Sequence, residues 1–81
     1  MMLRHTDITD SQVISKIRTG EIRYGGNSRL KIFGRLNCRS GKRMKKANRV
    51  FFHSYSEAIQ ECFRPCGHCM YKEYREWLKA L

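Results

Sequence analysis

The cysteines are the residues of this 81-residue chain whose types and spacing could do chemistry. Cys66 and Cys69 form a Cys-x-x-Cys pair, whose two thiolates can share one metal ion with little backbone strain. Cys38 lies far upstream and could complete the same site. Soft thiolate ligands at this density suit Zn²⁺, which favours closed tetrahedral sites of Cys and His. The sequence therefore predicts a zinc site that includes Cys38, Cys66 and Cys69.

The fourth ligand of a tetrahedral site stays open at the level of sequence. Cys62 is the first candidate, because the connector between it and Cys66 could fold back towards the metal. His53 is the second candidate and His68 the third, since side chains inside a Cys-x-x-Cys loop generally point outward. Water or hydroxide could also take the position, which would make the site open and reactive. The alternative for Cys62 is a small buried apolar residue without a ligand role.

Basic residues are concentrated in the middle of the chain. The formal net charge is +10, and no acidic residue lies between Glu21 and Glu57. A field of one sign attracts polyanions, of which nucleic-acid phosphates are the commonest in a cell. We therefore expect binding to a DNA phosphate backbone through Lys42, Arg43, Lys45, Lys46, Arg49 and Arg64. The alternative is a solvated surface that keeps a small protein in solution.

Composition limits the class of protein. A hydrophobic fraction of 41% is too high for a disordered chain. No apolar run approaches the roughly 20 residues that a membrane span needs. The N-terminus has no signal-peptide core, so a cytoplasmic protein is expected, in which cysteines serve as metal ligands or free thiols rather than disulfides. We expect one domain over residues 1–81, a monomer without a small-molecule cofactor.

The elements that must position these residues begin with a helix over residues 9–19. Thr9 and Gln12 form a capping box, and Gly20 can end the helix in the left-handed conformation. The apolar stripe consists of Val13, Ile14 and Ile17.

Short strands follow over residues 21–24 and 29–33, joined by a turn at residues 25–28. Leu30 and Ile32 should pack on one face of this hairpin. Residues 49–53 are β-branched and aromatic, which predicts a central strand.

The last part of the chain predicts two helices. Ser54 and Glu57 form a second capping-box pattern, opening a short helix to about Glu61. Residues 62–65 are expected to be a connector because Pro65 cannot lie inside a helix. A C-terminal helix over residues 67–81 should bury the stripe Met70, Tyr74, Trp77, Leu78 and Leu81. This order argues for an α+β fold, a small antiparallel sheet with an N-terminal, a short and a C-terminal helix around one zinc site.

Several of these residues together resemble a known family. The segments Arg49-Val50-Phe51-Phe52 and Phe63-Arg64-Pro65-Cys66-x-x-Cys69 are similar to the Ada metal-binding domain, over residues 33–70. That domain is the zinc module of bacterial DNA methylphosphotriester-repair proteins. The resemblance implies four cysteine ligands, the first of which also accepts a methyl group from the DNA phosphate backbone. Cys38 falls on that first position, and Cys66 and Cys69 fall on the last two.

The chain departs from the family pattern at two positions. Lys42 lies where the second family cysteine is expected, and Cys62 replaces a usual glycine. Lys42 could hold a DNA phosphate or stabilise a thiolate. We expect a stand-alone zinc module that binds nucleic acid. The alternatives are a stoichiometric methyl acceptor at Cys38, which would not be an enzyme in the strict sense, and a structural module whose aromatic C-terminal helix meets a partner protein.

Overall fold

A five-stranded sheet organises the computed structural model, which describes residues 2–38 and 44–81. The strands are β1 (Leu3–Arg4), β2 (Tyr24–Asn27), β3 (Ile32–Arg35), β4 (Arg49–Phe52) and β5 (Arg64–Pro65). The α-helices are α1 (Asp10–Thr19), α2 (Tyr55–Gln60) and α3 (Tyr71–Lys79), with one-turn 3₁₀ helices at His5–Asp7 and Lys46–Asn48. The predicted α+β class is confirmed.

The strands lie in the order β1-β4-β2-β3-β5. The pairs β1–β4, β4–β2 and β2–β3 are antiparallel, whereas β3 and β5 run parallel. The predicted strand at residues 49–53 is confirmed as β4, which has a neighbour on each side. The sheet is therefore mixed rather than purely antiparallel, because the chain returns to the far edge through α2 before it forms β5.

Helix α1 has the predicted ends. The Thr9 side chain accepts a hydrogen bond from the Gln12 N–H, the Gln12 side chain accepts one from the Thr9 N–H, and Gly20 ends the helix with φ +81°. The predicted apolar stripe is wrong in part, because Val13 is buried whereas Ile14 is 54% and Ile17 41% exposed. Val13 alone belongs to the buried cluster that α1 forms with the sheet.

The predicted hairpin has the wrong register. The turn lies at residues 28–31 rather than 25–28, because the Asn27 side chain accepts hydrogen bonds from the N–H groups of Arg29 and Leu30 at 2.9 and 3.1 Å. Lys31 closes the turn at φ +58°. Leu30 is consequently in the turn and 62% exposed, so the prediction that it packs on the hairpin is also wrong.

Gly26 explains why a glycine pair lies inside a strand. A Cβ at Gly26 would lie 3.1 Å from Phe52 Cε2 and 3.2 Å from the Ile32 carbonyl oxygen. Such contacts are tighter than ordinary van der Waals packing, so the absence of a side chain lets β2 sit against its neighbours. Gly26 therefore serves packing, and both glycines lie in β2 rather than in the turn.

The chain between α2 and α3 is also different from the prediction. Helix α2 begins as expected, with the Ser54 hydroxyl accepting from the Glu57 N–H at 3.2 Å. The expected connector, however, contains β5, because the Arg64 N–H donates to the Lys31 carbonyl at 2.9 Å. A proline is compatible with this edge strand, where its missing N–H costs no ladder hydrogen bond.

The core lies on both sides of the sheet. One buried cluster comprises Phe33, Val50, Phe52, Ala58, Phe63 and Met70, and the other comprises Val13, Ile22 and Phe51. Helix α3 contributes no buried residue, and Leu78 and Leu81 are 44% and 82% exposed, so the predicted buried stripe is wrong beyond Met70. The reason is that α3 packs on β5, a strand of two residues at the sheet edge.

Within residues 2–38 and 44–81, no helix combines the length and the apolar surface that a membrane span requires.

Candidate metal centre

Three cysteine sulfurs meet beside strand β3. The Sγ atoms of Cys38, Cys66 and Cys69 all lie within 4.8 Å of one another. None of the four cysteines forms a disulfide. A tetrahedral zinc with Zn–S bonds of about 2.3 Å separates its sulfurs by roughly 3.8 Å. Only a small contraction of this group is therefore needed to hold the ion.

The sheet brings the distant cysteines together. Cys38 follows β3 in a turn, where its N–H donates to the Arg35 carbonyl at 3.1 Å. Cys66 follows β5, and its N–H donates to the Phe33 carbonyl at 2.7 Å, which extends the parallel pairing by one residue. The Met70 N–H then donates to the Cys66 carbonyl at 3.0 Å, closing the loop that carries Cys69.

Gly34 makes room for the sulfurs. A Cβ at this position would lie 2.6 Å from Cys69 Sγ and 3.1 Å from Cys66 Cβ. Any side chain would therefore displace the Cys-x-x-Cys loop. Gly34 was not among the predicted site residues, although a glycine inside a strand pattern is a known sign of close backbone approach.

Backbone N–H groups point at two of the sulfurs. The Arg35 N–H donates to Cys69 Sγ at 3.3 Å, and the His68 N–H donates to Cys66 Sγ at 3.4 Å. The Arg35 side chain also donates from Nε to the Cys69 carbonyl at 3.3 Å. Such donors stabilise negative charge on sulfur, as a metal-bound thiolate requires. Arg35 was likewise not predicted as part of the site.

The three clustered thiols need a nearby positive charge in order to ionise together. In the protein without metal, the pKa of Cys69 is raised to about 12, mainly by burial. The Arg35 N–H lowers this pKa, whereas the neighbouring Cys38 and Cys66 raise it. Three adjacent thiols cannot all ionise unless positive charge compensates them. A bound metal ion supplies that charge and deprotonates coordinating thiols. The donor set thus fits zinc.

The three candidates for a fourth protein ligand lie outside this group. Cys62 is exposed at φ +66° and does not belong to the group formed by the sulfurs of Cys38, Cys66 and Cys69. It is therefore not the small buried residue of the alternative interpretation. His53 is exposed, with Nδ1 3.1 Å from the Glu21 carbonyl oxygen. His68 is exposed as well, and only its backbone N–H contacts the site.

The structure describes four of the six residues that were predicted to bind nucleic acid. Lys45 and Lys46 are exposed, and Lys46 Nζ lies 3.6 Å from Asp10 Oδ1. Arg49 is half-buried, with Nη2 donating to the Met44 carbonyl at 3.3 Å. The Arg64 guanidinium lies over the Tyr74 ring, 4.9 Å from its centroid. Lys42 and Arg43 lie outside the described residues.

One comparison with known proteins gives a match. The family model described as the metal binding domain of Ada matches residues 17–71, about two thirds of the chain. No curated protein and no solved structure matches. The matched range contains all three clustered cysteines, Gly34 and β2 to β5. The chain therefore belongs to the family of the Ada metal-binding domain, and its cysteine group is suited to zinc.

Proposed function

We propose that this protein is a zinc-binding module that binds the phosphate backbone of nucleic acid through cations beside the metal centre. The observation that carries the proposal is a row of residues across the sheet. Arg49 pairs with Asn27, Asn27 with Ile32, and Ile32 with Arg64. Two arginines are thus fixed on one line, three strand spacings or roughly 14 Å apart.

Further cations surround this row. Arg29 and Lys31 are exposed in the β2–β3 turn beside it, and Lys45 is exposed in the segment that leads into β4. Arg35 is the last residue of β3 and lies directly against Cys69. Since no acidic residue lies between Glu21 and Glu57, these charges are not neutralised within that interval of the chain. Several phosphates of one strand could be bound together.

The three clustered cysteines are the proposed protein ligands of the zinc. The ion, when bound, would supply positive charge and a cross-link between the end of β3 and the loop before α3. Metal content of purified variants tests this assignment. Cys38→Ser, Cys66→Ser and Cys69→Ser should each lose stoichiometric zinc, whereas Cys62→Ser, His53→Ala and His68→Ala should keep it. Loss of zinc from one of the second set would make that residue a ligand and contradict the three-cysteine assignment.

Salt-dependent binding to a labelled DNA duplex tests the nucleic-acid proposal. Fluorescence anisotropy between about 50 and 200 mM salt should show affinity that falls steeply as salt rises. Arg64→Gln and Lys45→Gln should each weaken binding severalfold and reduce the salt slope by about one. Lys79→Gln, an equal charge change at the far end of α3, is the matched control. Absence of binding at the lowest salt, or equal effects of all three substitutions, would count against the proposal.

A methyl-acceptor role for Cys38 is the second candidate, and one observation favours it. Cys38 and Cys66 both line a cavity of about 450 Å³, which gives a substrate room beside the sulfurs. In the transfer, the Cys38 thiolate would attack the methyl carbon of a phosphotriester, and the C–O electron pair would leave with the phosphodiester anion. Intact-protein mass spectrometry after exposure to methylphosphotriester DNA should show one added methyl group, lost in Cys38→Ser. No mass gain would exclude this role.

A further inference from the structure

The cysteine group supplies three ligands of the kinds that metals prefer and no fourth. Within the part of the chain that the structure describes, no histidine, carboxylate or further cysteine joins the sulfurs of Cys38, Cys66 and Cys69. The residues outside that part include none of these types. Cys62, the remaining cysteine, is exposed and does not belong to the group. The site is therefore a set of three thiols, and the ion that suits it best is one that needs only three.

Three thiolates match a trivalent ion better than a divalent one. With Zn²⁺ they leave one net negative charge and one coordination position that water must fill. With trivalent arsenic they leave no net charge, and no further ligand is needed because a lone pair on arsenic occupies the remaining direction. Cys38 is only 8% exposed, and an uncompensated charge at a buried site costs free energy. Arsenic(III) thus fits the group in number of ligands, in softness and in charge.

The backbone of β3 holds the three cysteines together before any ion binds. The N–H groups of Cys38 and Cys66 donate to the carbonyls of Arg35 and Phe33, both of which belong to β3. The Arg35 N–H donates in turn to Cys69 Sγ. Once arsenic has bound one of these sulfurs, the other two are already close, at a high effective concentration.

The sulfurs can also be reached from outside. Cys38 and Cys66 line the cavity of about 450 Å³, which extends along the sheet to His5 and has a mainly apolar lining. Arsenite in neutral water is the small uncharged acid As(OH)₃. It can therefore enter an apolar cavity without losing the hydration of a charge.

We propose that the cysteine group binds trivalent arsenic in exchange for zinc. Three As–S bonds form, three As–O bonds break, and each hydroxyl leaves as water with one proton. The protons come from the thiols in the metal-free protein, and from solvent when zinc leaves as the hydrated ion. Arsenic stays trivalent, so no oxidant or reductant takes part. The proposal uses the sulfurs of the proposed zinc site and does not depend on nucleic-acid binding.

Native mass spectrometry after incubation with arsenite tests the proposal. The wild type should gain one arsenic and lose three hydrogens, and it should release zinc stoichiometrically to a chromophoric indicator. Cys38→Ser leaves two thiols in the group, so its adduct should keep one hydroxyl on arsenic and bind roughly 100-fold more weakly. Cys62→Ser removes the cysteine outside the group, is the matched control, and should behave as the wild type.

A wild-type adduct that keeps a hydroxyl would overturn the proposal, because arsenic would then be held by two sulfurs. Loss of binding in Cys62→Ser would overturn it as well. Zinc that stays bound in excess arsenite, without a mass gain, would contradict the proposal and leave the three-cysteine zinc site intact. If Cys38→Ser does not fold, iodoacetamide labelling of the wild-type adduct decides the question: Cys62 alone should be alkylated, and labelling of a second cysteine would contradict binding by three.

Discussion

At the scale of single residues, the metal centre depends as much on backbone as on sulfur. Cys38, Cys66 and Cys69 are the proposed donors, but Gly34 permits their approach, and the N–H groups of Arg35 and His68 donate to two of the sulfurs. The His68 side chain is exposed, so its identity matters less than its backbone. Gly34, by contrast, cannot gain a Cβ unless the sulfur of Cys69 shifts.

Gly34→Ala should weaken zinc binding by roughly 10- to 100-fold, the range found when groups around metal ligands are changed. The physical reason is the 2.6 Å separation between the added Cβ and Cys69 Sγ, which forces the loop away from β3. Competition with a chromophoric chelator measures the affinity. Gly25→Ala, in the adjacent strand and in register with Gly34, is the control and should bind zinc normally. Equal affinities for the two variants would show that the loop adapts to the added methyl group.

At the scale of elements, Asp10 ties the start of α1 to both 3₁₀ helices. Its carboxylate accepts from His5 at 2.9 Å and lies 3.6 Å from Lys46 Nζ. The hydrogen bond from His5, followed by the charge of Lys46, lowers the pKa of Asp10 below its usual value of 3.8. A carboxyl whose pKa is depressed in the folded state stabilises the fold when it is ionised.

Asp10→Asn should therefore lower the melting temperature near neutral pH. Ionised Asp10 stabilises the fold fully above pH 3.8, and this stabilisation is lost as the pH falls through the lower pKa that Asp10 has in the folded state. The difference in melting temperature between Asp10→Asn and the wild type should therefore shrink over that pH range. Thermal unfolding followed by circular dichroism at several pH values measures it. Asp7→Asn, at an exposed position in the preceding 3₁₀ helix, should show a smaller effect. A difference that stays constant as the pH falls well below 3.8 would contradict the assigned cause.

Elements with local signals could be predicted from the sequence, and elements that depend on partners could not. The ends of α1 and the start of α2 could be predicted because their caps involve residues only three or four positions apart, at Thr9, Gly20 and Ser54. The close packing of β2 on β4, in contrast, depends on how near Gly26 comes to Phe52 across the sheet. Strand β5 exists only because β3 lies beside it.

The same distinction holds for the site. Cysteine spacing and residue type predicted that Cys38 would meet Cys66 and Cys69, and the three sulfurs do lie together. The parts that no spacing reveals are those supplied by the fold. Gly34 and the Arg35 N–H contribute through position in β3, and His5 reaches the cavity only because β1 and its 3₁₀ helix pack beside β4.

At the scale of the whole molecule, the metal centre joins parts that the core holds weakly. Helix α3 has no buried residue and rests on β5, with Tyr74 packed against Gly67 of the Cys-x-x-Cys loop. A short chain has a thin core and gains a large fraction of its stability from a structural metal. The cysteine group is thus expected to fix α3 on the sheet.

Removal of zinc with a chelator should lower the melting temperature and release α3 first. Hydrogen exchange should rise most in residues 67–81 and least in β4, which is paired on both sides. Trp77, half-buried on α3, should report the same release through its fluorescence. Zinc added back should restore both signals. Uniform loss of protection across the sheet would show instead that the metal stabilises the whole fold as one unit.

The pairing of β1 with β4 has a consequence for how the chain acquires its structure. Leu3 pairs with Phe51 and Arg4 with Val50, whereas the β2–β3 hairpin closes over a few residues. During synthesis β1 precedes β2 and β3, and its partner β4 appears only after both of them. Contacts at such sequence separation form late, because the intervening loop must first be closed. His5, which directly follows β1, should therefore reach its place over the sheet among the last residues to do so, after the hairpin and β4 have formed.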